Sequence, residues 1–242
     1  MRKVLEIGGV LAAIVLIAFG IGAIVMGISG QSTVNDSLKQ EQITGSGDMT
    51  PTAIAAEVKA AKTAQSELVS KVQAAGGKIT PAPIDTPTCS IANKQVTNGA
   101  QARCFAKYMR IHTFGATSGL TYSQMGRSIA KPGTPLKFTD GLGATSDPRY
   151  ALTDPKTQQP VNNGRRDIWV TYTALTTALN SSYMASRLSV FGIVVGVALL
   201  LAGIGFAILA LMGALESPKT AFGHEAKDKE VAVRPPEVPA KA

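Results

Sequence analysis

IGGVLAAIVLIAFGIGAIVMGI, residues 7–28, carries no charged side chain, and LSVFGIVVGVALLLAGIGFAILALMGAL, residues 188–215, has the same character near the other end of the chain. An α-helix rises about 1.5 Å per residue, so a hydrocarbon layer about 30 Å thick takes roughly 20 apolar residues to cross. Both stretches meet that length. The second exceeds it and should tilt or project beyond the layer. In lipid, an isolated segment satisfies its own backbone hydrogen bonds only as a helix. The fold class that follows is mainly α, with transmembrane helices at Ile7–Ile28 and Leu188–Leu215 flanking a middle segment of residues 30–187.

Met1-Arg2-Lys3 resembles the basic start of a secretory signal, but a signal's apolar core runs about 7–15 residues and ends in small residues. The run here is longer, and Ile28-Ser29-Gly30-Gln31 is a poor cleavage site, so a retained anchor is expected. Arg2 and Lys3 precede the first span, and Lys219, Lys227, Lys229 and Arg234 follow the second; Lys39 and Arg187 are the nearby cations on the middle side. Flanking cations stay on the cytoplasmic face. The expected arrangement is a plasma-membrane protein with residues 1–6 and 216–242 in the cytoplasm and residues 30–187 outside. Ala18/Gly22, Ala23/Gly27, Gly192/Gly196 and Ala198/Ala202 place small residues four apart, where helix backbones approach closely in lipid. That predicts pairing of the spans, or self-association through Gly192 and Gly196. Neither span holds a central ionisable residue, which disfavours a channel or transporter subunit.

Residues 30–187 hold 17 basic and 10 acidic side chains, a net +7 of the chain's +8. Such a field attracts anionic lipid headgroups or anionic surface polymers. No nucleic-acid partner is expected. Cys89 and Cys104 are the two cysteines, both in this segment, and an oxidising exterior makes a disulfide the default. Closing a loop of about 15 residues contributes about 3 kcal/mol by the chain-entropy argument.

Within the middle segment, Thr50-Pro51 reads as a helix start and Gly76-Gly77 as its stop, with Ile54, Val58, Ala61, Leu68 and Val72 on one face. A second helix is expected over Gly99–His112, with Phe105/Met109 and Cys104/Tyr108/Ile111 as adjacent apolar stripes. A third should be capped by Asp167, bury Ile168, Tyr172, Leu175, Leu179 and Tyr183, and run unbroken into the second span. Gln31–Ile43 should extend the first span. Gly115–Arg166 carries Pro132-Gly133, Asp147-Pro148, Asp154-Pro155 and Asn163-Gly164, the signals of a long irregular loop, with short strands near Leu120–Tyr122 or Leu136–Phe138. The Pro-rich, charged tail of residues 216–242 is expected to be disordered.

Arg103, Lys107 and Arg110 recur at four and three, so they share the helix face opposite the apolar stripes, a candidate anion-binding face. Ser128-Ile129-Ala130-Lys131 has the S-x-x-K spacing of penicillin-binding proteins but lacks the partner motifs S-D-N and K-T-G. Ser128, or a carboxylate such as Asp140, is the nomination for an envelope hydrolase. No catalytic, cofactor or metal residue is assigned. The histidines, His112 outside and His224 inside, cannot share a two-histidine, one-carboxylate centre, and His112 is expected as a packing or surface residue. No phosphate loop, zinc spacing or GxSxG elbow occurs.

VLEIGG, DSLKQEQITGSGDMTP, ARCFAKYMRIHT, TDPKTQQPV and WVTYTALTTALNSSYMA together resemble a family of two-span membrane proteins of actinobacteria whose biochemistry is uncharacterised. Its members often carry the label of an aromatic ring-opening dioxygenase subunit, which the histidine count does not support as chemistry here. The resemblance implies the two-span topology and a bacterial host, and transfers no catalytic residue. The expected function is that of a non-enzymatic envelope interaction or scaffold protein whose basic external domain binds a partner protein or anionic envelope component. A membrane-anchored envelope hydrolase is the alternative.

Overall fold

The computed structural model describes residues 2–212; the predicted tail, His224 and the end of the second apolar stretch lie outside the described residues. Four α-helices carry nearly all the regular structure among the described residues: α1 (Arg2–Gln40), α2 (Pro51–Ala74), α3 (Gly99–Ala116) and α4 (Gly164–Leu211). α1 and α4 are long and apolar enough to cross a membrane. α4 has no break between its polar first half and its apolar second half, and α1 continues well past Ile28. Two compact units are present, one of residues 1–22 and residues from 196 onward, the other of residues 23–195.

In the first unit the helices meet backbone to backbone. A Cβ placed on Gly20 would lie 2.8 Å from both the Gly196 oxygen and the Leu200 nitrogen, and one on Gly203 would lie 3.0 Å from the Ile17 nitrogen. The contact line is therefore Ala13, Ile17 and Gly20 against Gly196, Leu200 and Gly203, spaced four and three on each helix. This corrects the sequence reading in part: Gly22 faces open space, and Gly20 and Gly203 join the expected Gly196 at the close approach, while in the second unit a Cβ on the expected Gly27 would lie 2.7 Å from the Ser189 oxygen. Phe19, Leu201 and Phe206 are exposed on the outer faces, where burial in water-free surroundings would be favourable.

The second unit holds the core. Thr50 accepts a hydrogen bond from the Ala53 amide at 3.1 Å and Pro51 opens α2. Gly76, at φ +81°, reverses the chain so that the Gly77 amide reaches the Val72 carbonyl at 2.9 Å. The five α2 positions expected to be apolar-inward are all buried. α2 packs on α3, which runs one turn beyond His112 because Phe114 is itself a core residue. The segment Ile43–Met49 pairs with Ile91–Val96 through hydrogen bonds such as Val96 to Ile43 at 2.8 Å.

α4 lies against α3 in the opposite direction. Gly99 packs on Ser182–Ser186 at one end, and the Phe114 and Trp169 rings meet edge to face at 5.4 Å at the other. That contact sets the rotation of α4. Trp169 is buried and Ile168, expected inside, is 43% exposed. The cap is likewise not Asp167: Asn163 accepts from the Arg165 amide at 3.2 Å while its own amide donates to Gly126 at 2.8 Å. A residue that caps the helix and also satisfies a buried carbonyl outcompetes one that only caps.

Residues 117–163 contain only two short strands, β1 (Ser128–Ile129) antiparallel to β2 (Ala144–Thr145), and single-turn 3₁₀ segments at Leu136–Phe138 and Pro148–Tyr150. The expected strand at Leu136–Phe138 is thus a turn, and Leu120 sits in the turn that closes α3. Bridges from Ser128 to Asn162 and from Ala130 to Ala151 fold this stretch back on itself.

Candidate functional site

α3 carries its basic residues along α4. Arg103, Lys107 and Arg110 line a groove of about 360 Å³ whose other wall is Tyr172, Asn180, Tyr183 and Met184 of α4. The sequence reading put this face opposite the apolar stripes; in the fold it forms one side of an interhelical furrow. The Arg103 guanidinium lies over the Tyr183 ring at 4.6 Å and Arg187 over the same ring at 5.1 Å. Arg110 covers Phe114 at 4.8 Å. Such stacking holds the planar cations in place while leaving their N–H edges free to donate. Lys107 and Arg110 also face a smaller hollow of about 300 Å³ with Asp85 and Thr88. The groove therefore concentrates positive charge beside the residue at which the apolar half of α4 begins.

A disulfide joins Cys89 to Cys104 across 15 positions. It fixes α3 to the 84–96 segment, and the fully buried Tyr108 hydroxyl donates to the Cys89 carbonyl one turn further on. Burial pushes the Tyr108 phenol above its ordinary value, so it stays a neutral donor.

The residues nominated for hydrolysis lie in the 117–163 stretch, with Ser128 in β1 paired with Thr145. Lys131, the lysine of the S-x-x-K spacing, donates to the Arg149 carbonyl at 2.9 Å. Asp140 is 5% exposed, and its two oxygens accept from the backbone amides of Gly126, Leu142 and Ala144 at 3.0, 2.9 and 3.0 Å. It organises the loop around β1 and β2. Another aromatic–cation pair, Arg166 at 3.8 Å over Tyr122, lines a hollow with Arg127 and Asn162; nothing in the local sequence pattern pairs these two residues.

His112, expected as a packing or surface residue, is partly exposed and meets two carboxylates. Its Nδ1 lies 3.0 and 3.1 Å from the two Glu57 oxygens, and its Nε2 lies 3.6 Å from Asp48 Oδ2. The three side chains come from the 41–50 connection, the second turn of α2 and the last turns of α3, and one donor atom from each lies within 4.8 Å of the others. The Ser46 hydroxyl donates to Asp48 and is the main reason that carboxyl sits below its ordinary value; burial opposes it, and His112 and the Asp48 backbone amide add smaller lowering effects. Gly115 makes room for the arrangement, since a Cβ there would lie 2.9 Å from Glu57 Oε1. Counting histidines along the chain hides this cluster; only the packing of α2 on α3 assembles it.

Comparison with models of protein families, with curated proteins and with solved structures returns no match to this chain.

Proposed function

We propose that this chain is a non-enzymatic protein of the bacterial plasma membrane, anchored by α1 and α4, whose basic groove binds an anionic envelope component or an acidic partner protein. Both termini lie in the cytoplasm and residues 30–187 outside. The observation that carries this reading is the convergence of Arg103, Lys107 and Arg110 on one groove beside Arg187, with guanidiniums set by aromatic stacking. A charged groove close to a lipid surface works on polyanions by summed, salt-sensitive attraction.

The test is binding of soluble polyphosphate to the full-length protein in nanodiscs of zwitterionic lipid. Affinity should fall as salt rises. Taking for polyphosphate the roughly 1 kcal/mol that each Lys or Arg contributes against an anionic surface, the triple variant R103A/K107A/R110A should bind about a hundredfold more weakly at low salt. Salt-independent binding, or equal binding by the triple variant, would remove the electrostatic reading. Orientation is checked separately at Lys156, an exposed residue. A membrane-impermeant thiol reagent should label Lys156→Cys in unbroken cells; labelling only after lysis would reverse the topology.

A further inference from the structure

We propose that His112 and Asp48 bind a divalent transition-metal ion of the zinc class, with Glu57 holding the imidazole in the binding orientation. The inference stands apart from the anion-binding reading, because it uses different residues on another part of the same unit.

The first argument is geometric. An ion about 2.0–2.1 Å from a histidine nitrogen and a carboxylate oxygen sets those two atoms roughly 3.4 Å apart in a tetrahedral site. The His112 Nε2 to Asp48 Oδ2 distance is 3.6 Å. That is longer than a direct hydrogen bond between the two would be, and close to the span an ion would bridge. On the other side of the ring, Glu57 lies at hydrogen-bonding distance from Nδ1 through both oxygens. A carboxylate on the remote nitrogen is how metal-binding histidines are commonly oriented: it fixes the proton on Nδ1 and turns the Nε2 lone pair toward the ion. The side chains are 26%, 46% and 34% exposed for His112, Asp48 and Glu57, so water has access to complete the coordination.

The second argument is charge. Two carboxylates face one imidazole, which leaves the cluster with an excess of negative charge whether or not the ring is protonated. The surrounding segment has 17 basic residues to 10 acidic ones. Even so, among the described residues no lysine or arginine forms a salt bridge with Asp48 or Glu57. A divalent cation would balance two carboxylates and a neutral imidazole. One nitrogen and hard oxygens, with no thiolate, favour zinc, cobalt or nickel over calcium and magnesium, which take oxygen ligands. The consequence is structural: the ion would tie the 41–50 connection to α3, with α2 held through Glu57.

The experiment uses untagged, chelator-stripped, full-length protein in detergent, titrated with zinc chloride and, in parallel, with cobalt chloride. The expected result is saturable binding of one zinc ion per chain in the micromolar range or tighter, with a rise in melting temperature. His112→Ala and Asp48→Asn should each abolish both. Glu57→Gln still offers an acceptor to Nδ1, so its metal-free melting temperature should match the wild type while zinc affinity falls about 10- to 100-fold. Cobalt keeps the test independent of how the variants fold. The chain has two histidines, His112 and His224, and His224→Ala identifies their ring signals in the nuclear magnetic resonance spectrum. Cobalt should shift the His112 ring signal strongly at stoichiometric addition and leave that of His224 in place. No saturable zinc binding, undiminished binding in folded His112→Ala, or a cobalt effect on His224 instead would each overturn the proposal.

Discussion

Replacing Asp140 by alanine is expected to lower the stability of the 23–195 unit by about 4 kcal/mol. Three backbone amides, those of Gly126, Leu142 and Ala144, donate to this carboxylate, which is 5% exposed. Hydrogen bonds to a charged acceptor are worth about 1.5–3 kcal/mol each, and a buried donor left without a partner costs a further 1–3 kcal/mol. These terms do not add fully, because the loop relaxes and water enters, so the sum is set well below its ceiling. For a unit of this size about 4 kcal/mol moves the melting temperature by roughly 8–16 °C. Asp140→Asn separates the contributions. Its amide oxygen, placed where Oδ1 now sits, keeps the Leu142 and Ala144 bonds, while its NH₂ group opposes the Gly126 amide. About half the loss is expected. Thermal unfolding of detergent-solubilised protein measures both variants. Unchanged melting in Asp140→Ala would refute the structural role assigned to this residue and reopen its nomination as a reacting group.

The double variant Cys89→Ser/Cys104→Ser should lose about 3 kcal/mol, the value expected when a closed loop of about 15 residues is opened in the unfolded chain. The effect is local in origin but not in consequence. Cys89 also presents its carbonyl to Tyr108, a residue with no exposed surface, in the middle of the core formed with Ile54, Ile91 and Ile111. Faster proteolysis of the 77–98 segment should therefore accompany the lower melting temperature, and reductant should reproduce both changes in the wild type. If reductant has no effect on melting, the bridge does not contribute to the stability of the native chain.

The helices were legible because their signals are local. Thr50-Pro51 and Gly76-Gly77 mark the ends of α2 by backbone chemistry confined to four or five residues. The apolar stripes of α2 and α3 report burial through a period of 3.6 that no tertiary partner has to supply. The two charge-free stretches are long enough that length alone makes them candidates to cross a bilayer. α4 shows where this stops working: periodicity found the helix but put Ile168 inside, since Ile168 and Trp169 differ by only about 100° around the axis. The choice between them was made by Phe114, which packs on Trp169 from another helix.

The irregular stretch shows the same division. Its glycines and prolines mark turns, and nothing in their order says that one carboxylate at position 140 collects three amides, or that Asn163 both caps α4 and holds Gly126. The sequence by itself determined the number of helices, their approximate ends, the apolar character of the two long ones and the positive excess between them. Those properties are sums over neighbouring residues. The tertiary structure alone decided that Arg103, Lys107 and Arg110 face a groove rather than open solvent, that Gly20 and not Gly22 meets the second long helix, and that Asp48, Glu57 and His112 meet. Contacts between residues 55 positions apart arise only from how helices pack, and packing is fixed by the shapes of whole surfaces rather than by spacing along the chain.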